Sequence, residues 1–198
     1  GGVKRPITLR EERGFRLDVN ELADLVNERT RLIILNSPHN PTGSVLTRAD
    51  LAAIADVVSD SQVLVLSDEI YSEIAYDTEH VSLATFPGML DRTIILDGFS
   101  KTYAMTGWRL GYGIFPEWLA PLIARLQVNA TSCTASFTQR AGIEALAGSQ
   151  DGARAMLAEL RRRREVIVRG LNEVPGLSCL SPQGAFYVFP NIKGTGKS

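Results

Sequence analysis

The chain has 198 residues, of which 44% are hydrophobic and 22% are charged, and its 21 basic residues nearly cancel its 22 acidic ones. This composition is typical of a globular protein and excludes a collagen, a disordered tail or a disulfide-stapled scaffold. The net charge of −1 and the pI near 6.2 also argue against a nucleic-acid partner, because such binding favours a basic excess.

Short aliphatic segments alternate along the chain with segments of helical periodicity. Four of these apolar segments lack alternation and are predicted as strands buried on both faces: 31–35, 63–66, 93–96 and 110–115. Thr47 stands at an N-cap position with Asp50 three residues later, which predicts a helix directly after it. Further helices are expected at 117–128, 137–147 and 153–173. Strands separated by helices favour parallel pairing, so the predicted fold is α/β, a three-layer αβα sandwich with a mostly parallel sheet.

The two ends of the chain indicate a portion of something longer. Residues 6–10 look like a strand directly after the first few residues, and two more strands are predicted at 177–180 and 185–189. We interpret this last pair as the start of a small α+β C-terminal domain. The predicted domains are therefore 1–150, a large domain incomplete at its N-terminus, and 151–198, a connecting helix with a partial second domain.

Cysteine and histidine are too rare to predict a disulfide framework or a zinc site. The chain has two of each and no CxxC pair, which favours a reducing, cytoplasmic context. No leader-like segment opens the chain, and no uncharged apolar run approaches the roughly 18 residues that a membrane span needs. We therefore expect a protein that is neither exported nor membrane-embedded.

Polar motifs follow the predicted strands at the points where those strands end. The four motifs are NSPHNPTG at 36–43, SDEIY at 67–71, DGFSK at 97–101 and MTGWRLG at 105–111. Ligands of open parallel sheets bind outside the carboxyl ends of the strands. The spacing of the motifs therefore predicts that they converge on one site.

Single residues of these motifs have structural as well as functional interpretations. Asp68 suits a turn or an N-cap, and Tyr71 suits the edge of a core. Lys101 lies between Phe99 and Tyr103 with few charges nearby. A desolvated lysine loses proton affinity, and its neutral amine can attack a carbonyl group, although an ordinary loop lysine is equally consistent with the residues alone.

Taken together and in this order, the four motifs resemble those of the pyridoxal-phosphate-dependent aminotransferases of fold type I, class I. The similarity is greatest to the bacterial aspartate and aromatic aminotransferase branch, which also often has a segment like PQGAFYV at 182–188. The resemblance covers nearly the whole chain. It implies the transfer of an amino group between an L-amino acid and a 2-oxo acid by a ping-pong reaction, in a homodimer.

The resemblance also implies roles for individual residues. Lys101 would hold pyridoxal 5′-phosphate as a Schiff base and would move a proton between the substrate Cα and the cofactor C4′. Asp68 would pair with the pyridine nitrogen and keep it protonated. Tyr71 and Asn40 would donate hydrogen bonds to the phenolic oxygen of the ring.

Two further residues would hold the cofactor phosphate. Arg109 matches the family arginine whose planar fork binds phosphate. Ser100 is a candidate second ligand, although many relatives carry that hydroxyl three residues before the lysine, where this chain has Gly98. We find no counterpart of the family's N-terminal phosphate loop, its ring-stacking aromatic residue or its carboxylate-binding arginine. The loop 129–138, rich in small polar residues, is a hypothetical contact with a partner subunit.

Two alternatives remain open at this point. Related enzymes of the same fold use the same lysine for elimination reactions, so a pyridoxal-phosphate-dependent lyase is possible. The chain is also consistent with a catalytically inactive fragment of the aminotransferase. Product analysis would distinguish the lyase from an aminotransferase. A search for a reducible adduct on Lys101 would distinguish the inactive fragment from a chain that binds the cofactor.

Overall fold

The computed structural model describes residues 1–197 and centres on one four-stranded sheet. Its strands follow each other in chain order across the sheet: β1 (Leu32–Asn36), β2 (Leu64–Asp68), β3 (Thr93–Gly98) and β4 (Gly111–Ile114). β1 and β2 are parallel, and so are β2 and β3. The structure therefore confirms the predicted α/β fold with a mostly parallel sheet.

The fourth strand is the antiparallel member of this mostly parallel sheet. β4 is antiparallel to β3, with Gly98 opposite Gly111. The connection 99–110 contains a single 3-10 turn, Thr106–Trp108, and no crossover α-helix. A connection without a helix folds the chain back along the strand that it has just left.

Within residues 1–197, five α-helices accompany the sheet. They are α1 (Val19–Leu25), α2 (Arg48–Val58), α3 (Ala120–Thr131), α4 (Ser136–Ala147) and α5 (Asp151–Asn172). Helices α2 to α5 were predicted, with bounds that differ by a few residues at the ends. The short helix α1 was not, although Asp18 caps it by accepting a hydrogen bond from the Asn20 N–H. Within residues 1–197 no helix is both long enough and apolar enough to cross a membrane.

The main core lies between α2 and the sheet. Ile54 and Val58 are fully buried on one stripe of α2, and Val65 of β2 is fully buried against them. The helix begins at a capping box, in which Thr47 accepts a hydrogen bond from the Asp50 N–H and the Asp50 carboxylate accepts one from the Thr47 N–H. Local capping and an apolar stripe thus give the same helix.

The outer strands are more exposed than their apolar sequences predict. Ile34 of β1 is 69% exposed and Ile114 of β4 is 49% exposed, so burial on both faces is wrong for these two strands. β1 and β4 lie at the two edges of the described sheet, and the described helices cover them incompletely. Phe137 of α4 is also 70% exposed.

The segment after α5 does not form the strand pair predicted at 177–180 and 185–189. It makes isolated bridges instead, between Ser178 and Asn191 and between Gly184 and Ala75. The Ser178 bridge stays within the segment, whereas the backbone of 183–185 bonds Gly43 and Ile74 in loops of the sheet layer, so the two stretches have no ladder between them. Residues 6–10 likewise form no strand. The division at 150 stays a prediction, and the second predicted domain ends on Ser198, outside the described residues.

Candidate functional site

Asn36 connects the ends of the first two parallel strands. It lies opposite Asp68 in the register of β1 and β2, and its Nδ2 donates to the Asp68 carbonyl oxygen at 3.1 Å. Its Oδ1 accepts from the backbone N–H of Asn40 at 2.7 Å. Asp68 in turn accepts from the Ile70 N–H at 3.3 Å, which shapes the turn after β2. One amide side chain therefore holds the loop of Asn40 beside the strand end of Asp68.

A buried network fixes the backbone on both sides of Asp68. The residue Glu69 is only 5% exposed. Its carboxylate accepts hydrogen bonds from Ser67 Oγ at 2.9 Å and from Ser82 Oγ at 2.8 Å. Its other oxygen lies 3.0 Å from His80 Nε2. Glu69 therefore points away into the protein and is fully used by its partners, whereas Asp68, its neighbour, lies at the partly exposed strand end.

Lys101 follows β3 and is half-buried against aromatic rings. Its Nζ lies 5.9 Å from the ring centroid of Tyr71 and 5.7 Å from that of Phe186. Both distances are within the range of a cation–π contact. Among the described residues this amine has neither a hydrogen-bond partner nor a carboxylate in ion-pair distance. The amine is therefore not engaged by another polar side chain of the described residues.

Tyr71 is 2% exposed and belongs to a hydroxyl network. Its Oη lies 2.6 Å from the Oη of Tyr187, and Asn40 Nδ2 donates to the same Tyr187 oxygen at 3.4 Å. Burial, and then the contact with Tyr187, raise the pKa of the Tyr71 phenol above its ordinary value. The hydroxyl therefore stays neutral and keeps its proton available as a donor.

Gly43 joins the Asn40 loop to the segment that carries Phe186 and Tyr187. Its φ of +70° lies in the left-handed region, and a Cβ at this position would collide with Pro182. Its carbonyl oxygen accepts from the backbone N–H groups of Gln183 and Gly184 at 2.8 and 2.9 Å. The close approach, which no other residue type allows, brings the two segments into contact.

The two residues predicted to bind phosphate, Arg109 and Ser100, make fewer contacts with other residues than Asn40 and Tyr71 do. Arg109 is exposed, has a φ of +54°, and donates from Nη1 to the Thr106 carbonyl oxygen at 2.8 Å. Ser100 is half-buried, and its hydroxyl makes no hydrogen bond within residues 1–197. The structure thus brings Asn40, Tyr71 and Lys101 into one cluster with contacts to each other or to shared partners, and it records no such contact for Arg109 or Ser100.

Sequence reasoning missed Phe186 and Tyr187 as parts of the site. The stretch 185–189 was predicted only as a strand, and nothing local indicates that its aromatic rings contact residues more than a hundred positions away. The available signal was the resemblance of 182–188 to a family segment. Tyr71 makes edge contacts with both rings, at centroid distances of 5.3 and 5.8 Å.

Comparisons with known proteins agree with the motifs. The family model for aminotransferase class I and II matches residues 1–197. The aromatic-amino-acid aminotransferase 2 of Thermococcus litoralis is 44% identical over 201 residues, which cover 100% of this chain and 51% of that protein. An aspartate aminotransferase of Pyrococcus abyssi is 44% identical over 199 residues, covering 99% of this chain and 51% of the relative.

A solved structure gives the same picture. The crystal structure of an aromatic aminotransferase from Pyrococcus horikoshii OT3 superposes with a TM-score of 0.92 at 44% identity, over 96% of this chain and 52% of that one. The chain therefore spans about half the length of the relatives that it matches.

Proposed function

The chain belongs to the class I and II aminotransferase family, and from this membership we propose that the protein is a pyridoxal-phosphate-dependent aminotransferase. Its reaction would transfer an amino group between an L-amino acid and a 2-oxo acid in two half-reactions. The observation that carries the proposal is the Lys101 amine, which contacts the ring of Tyr71 and has no ionic partner within residues 1–197.

The residues present fit pyridoxal phosphate. The cofactor needs an amine to bind its carbonyl carbon, an acid to pair with its ring nitrogen, and donors for its phenolic oxygen. Lys101 offers the amine after β3, and Asp68 offers a carboxylate at the carboxyl end of the neighbouring parallel strand β2. Tyr71 and Asn40 both carry donors, and both lie within hydrogen-bond distance of the Tyr187 hydroxyl. The chemistry of this donor set supports the assignment.

When bound, pyridoxal phosphate supplies a carbonyl carbon that condenses with amines and a ring that accepts electrons from the Cα–H bond. Lys101 would provide the amine that anchors the ring and, once displaced, would move the proton at the substrate Cα. The charge of Asp68 would hold a proton on the ring nitrogen. Tyr71 would donate a hydrogen bond to the phenolic oxygen, which its neutral state allows.

Arg109 and Ser100 would hold the phosphate group. Arg109 uses one N–H for the Thr106 carbonyl oxygen, so its guanidinium keeps further donors for a phosphate oxygen. The Ser100 hydroxyl retains its donor as well. This part of the proposal rests on the motif match alone.

The substrates and the assembly follow the family in the same way. An L-amino acid and a 2-oxo acid are the proposed substrates, and the relatives' names include both aromatic amino acids and aspartate. The homodimer, with the loop 129–138 near the partner, and the cytoplasmic location stay predictions. A lyase of the same fold is the alternative, because elimination needs the same lysine.

The test is covalent trapping. The purified complete gene product is incubated with pyridoxal phosphate, reduced with borohydride and digested, and the peptides are read by mass spectrometry. We expect the reduced adduct on Lys101 and its absence in Lys101→Ala, while the exposed Lys193 provides an internal control for non-specific labelling. Equal labelling of Lys193 and Lys101, with a visible band that survives in Lys101→Ala, would reject the proposal.

Product analysis then separates the two reaction types. Amine transfer to 2-oxoglutarate, with one 2-oxo acid formed for each one consumed, supports the aminotransferase. Ammonia and pyruvate formed without an acceptor support the lyase instead. The absence of an adduct on Lys101 in the 198-residue chain would identify that chain as an inactive fragment.

A further inference from the structure

Tyr187 lies where the two proposed donors to the phenolic oxygen meet. Its Oη is 2.6 Å from Tyr71 Oη and 3.4 Å from Asn40 Nδ2. Both partners come from loops that follow strands, whereas Tyr187 comes from the segment after α5, 116 positions away from Tyr71. Three separate parts of the chain therefore share one hydroxyl.

Either tyrosine hydroxyl can donate to the other, and the chemistry of the three groups permits a chain of hydrogen bonds that runs from Asn40 through Tyr187 to Tyr71. Asn40 Nδ2 can only donate, so the Tyr187 oxygen accepts there. Tyr187 then has one proton of its own, and the short contact allows it to be donated to the Tyr71 oxygen. In this arrangement the proton of Tyr71 is free for an outside acceptor. Hydrogen bonds in such a chain strengthen one another, so an oxygen that accepts becomes a better donor.

Tyr187 is also held firmly enough to act in this way. Its ring packs on Phe186 at a centroid distance of 4.8 Å and meets the Tyr71 ring edge-on at 5.8 Å. The backbone just before it is fixed, because the Ala185 N–H donates to the Ile74 carbonyl oxygen at 2.8 Å. The hydroxyl is therefore placed by packing on its own side as well as by its partners.

We propose that Tyr187 is a positioning residue for the cofactor site, which donates to Tyr71 and thereby directs the Tyr71 proton to the phenolic oxygen of pyridoxal phosphate. This inference rests on the proposed function. A donor to the phenolic oxygen takes up part of its negative charge, which favours proton loss from the nitrogen that joins Lys101 to the cofactor. Weakening that donor should therefore raise the pH at which this nitrogen loses its proton.

The test is a spectrophotometric pH titration of the complete gene product loaded with pyridoxal phosphate. We expect Tyr187→Phe to raise the midpoint pH of this titration, followed by the visible absorption band, by about 0.5–1 pH unit, the effect of one modest hydrogen bond. Tyr71→Phe should raise it at least as much. Adding Tyr187→Phe to Tyr71→Phe should produce no further shift, because Tyr187 acts through Tyr71.

Tyr103→Phe is the matched control. Tyr103 is half-buried two residues after Lys101, and its hydroxyl makes no hydrogen bond within residues 1–197, so its removal should leave the midpoint unchanged. A 3-fluorotyrosine at position 187 keeps the shape of the ring and is a stronger donor. It should lower the midpoint, which provides a second measurement where Tyr187→Phe does not fold.

The outcomes separate the two proposals. An unchanged midpoint in Tyr187→Phe, beside a shift in Tyr71→Phe, would overturn the role of Tyr187 and leave the aminotransferase intact. A shift that persists in the Tyr71→Phe background would also overturn it. A wild-type protein without any visible band at Lys101 would instead contradict the proposed function.

Discussion

The position of Asp68 is set by hydrogen bonds that its neighbours make. The adjacent Glu69 is consumed by hydroxyl groups and His80, and Asn36 holds the Asp68 carbonyl oxygen. These contacts secure the backbone while the Asp68 carboxylate uses one oxygen for the Ile70 N–H. Two successive carboxylates thus have different tasks, one inside the protein and one at the strand end.

We expect Asp68→Asn to retain the cofactor on Lys101 but to lower kcat by about a hundredfold or more, since a fixed charge facing the reacting system is lost. The asparagine keeps the size of the side chain and can still accept from the Ile70 N–H. Steady-state kinetics and the borohydride adduct measure the two effects separately. Glu73→Gln, exposed on the following turn, is the control and should match the wild type. A kcat within threefold of wild type in Asp68→Asn would contradict this role.

The sequence was informative about residues whose motifs follow strands. The motif pattern places Asp68 and Lys101 just where strands end. In the structure they follow the adjacent parallel strands β2 and β3, at the same end of the sheet. The role of Tyr187 could not be predicted from the sequence, because its partner Tyr71 is 116 positions away and only the folded chain brings the two hydroxyls together. Contacts between distant segments depend on how loops pack, which local patterns do not encode.

Among the secondary-structure elements, α2 depends on its N-terminus more than on its length. Asp50 accepts from Arg16 Nε at 3.1 Å and forms an ion pair with its Nη2 at 2.5 Å, besides completing the capping box with Thr47. The loop that contains Asn40 ends where this box begins. The cap therefore secures one end of the site loop as well as the helix.

We expect Thr47→Ala to lower the free energy of unfolding by about 1 kcal/mol, as the loss of an N-cap does. Asp50→Asn should cost about 1.5–3 kcal/mol at neutral pH, since it removes hydrogen bonds to a charged group. Urea denaturation followed by circular dichroism measures both. Asp56→Asn, exposed later on the same helix, is the control and should leave the free energy unchanged.

The loss in Asp50→Asn should depend on pH. Burial alone would raise the pKa of Asp50, but the hydrogen bonds from Arg16 and Thr47 outweigh it and hold the pKa below its ordinary value of 3.8. A lowered pKa contributes stability above the unfolded value and loses it as the pH falls through the folded value. The difference between wild type and Asp50→Asn should therefore be full at pH 7 and should shrink below about pH 4. A difference that grows in acid would show that the carboxylate is not ionised in the folded protein.

The elements also show why part of the fold was predicted and part was not. The capping box and the apolar stripe of α2 are local signals, and the helix formed as expected. The direction of β4 was not predicted, because apolar composition does not distinguish parallel from antiparallel pairing. The strands expected at 177–180 and 185–189 did not form, because Ser178 pairs with Asn191 and the Ala185 N–H donates to Ile74 of a distant loop.

At the scale of the whole molecule, α5 is tied to the site layer through two arginines, Arg161, which contacts Tyr76 and Asp77, and the more deeply buried Arg164. The Arg164 side chain is 10% exposed, and its guanidinium lies 4.6 Å from the ring centroid of Tyr76. Its Nη1 forms an ion pair with Asp77 at 2.5 Å and donates to the Pro182 carbonyl oxygen at 3.1 Å. Arg164 thus connects the long helix, the loop after Tyr71 and the segment that leads to Tyr187.

We expect Arg164→Met, which keeps an aliphatic stem but removes the donors, to lower the free energy of unfolding by about 1–3 kcal/mol. It should also speed hydrogen exchange in residues 182–189, because their anchor to α5 is lost. Arg163→Met is the matched control, since Arg163 is 67% exposed and pairs with Glu159 on its own helix. Surface pairs of this kind contribute little, so neither measurement should change. Equal exchange in the two variants would mean that Arg164 does not hold the segment of Tyr187, and that the contacts of this segment with Gly43 and Ile74 and the remaining contacts of α5 are sufficient.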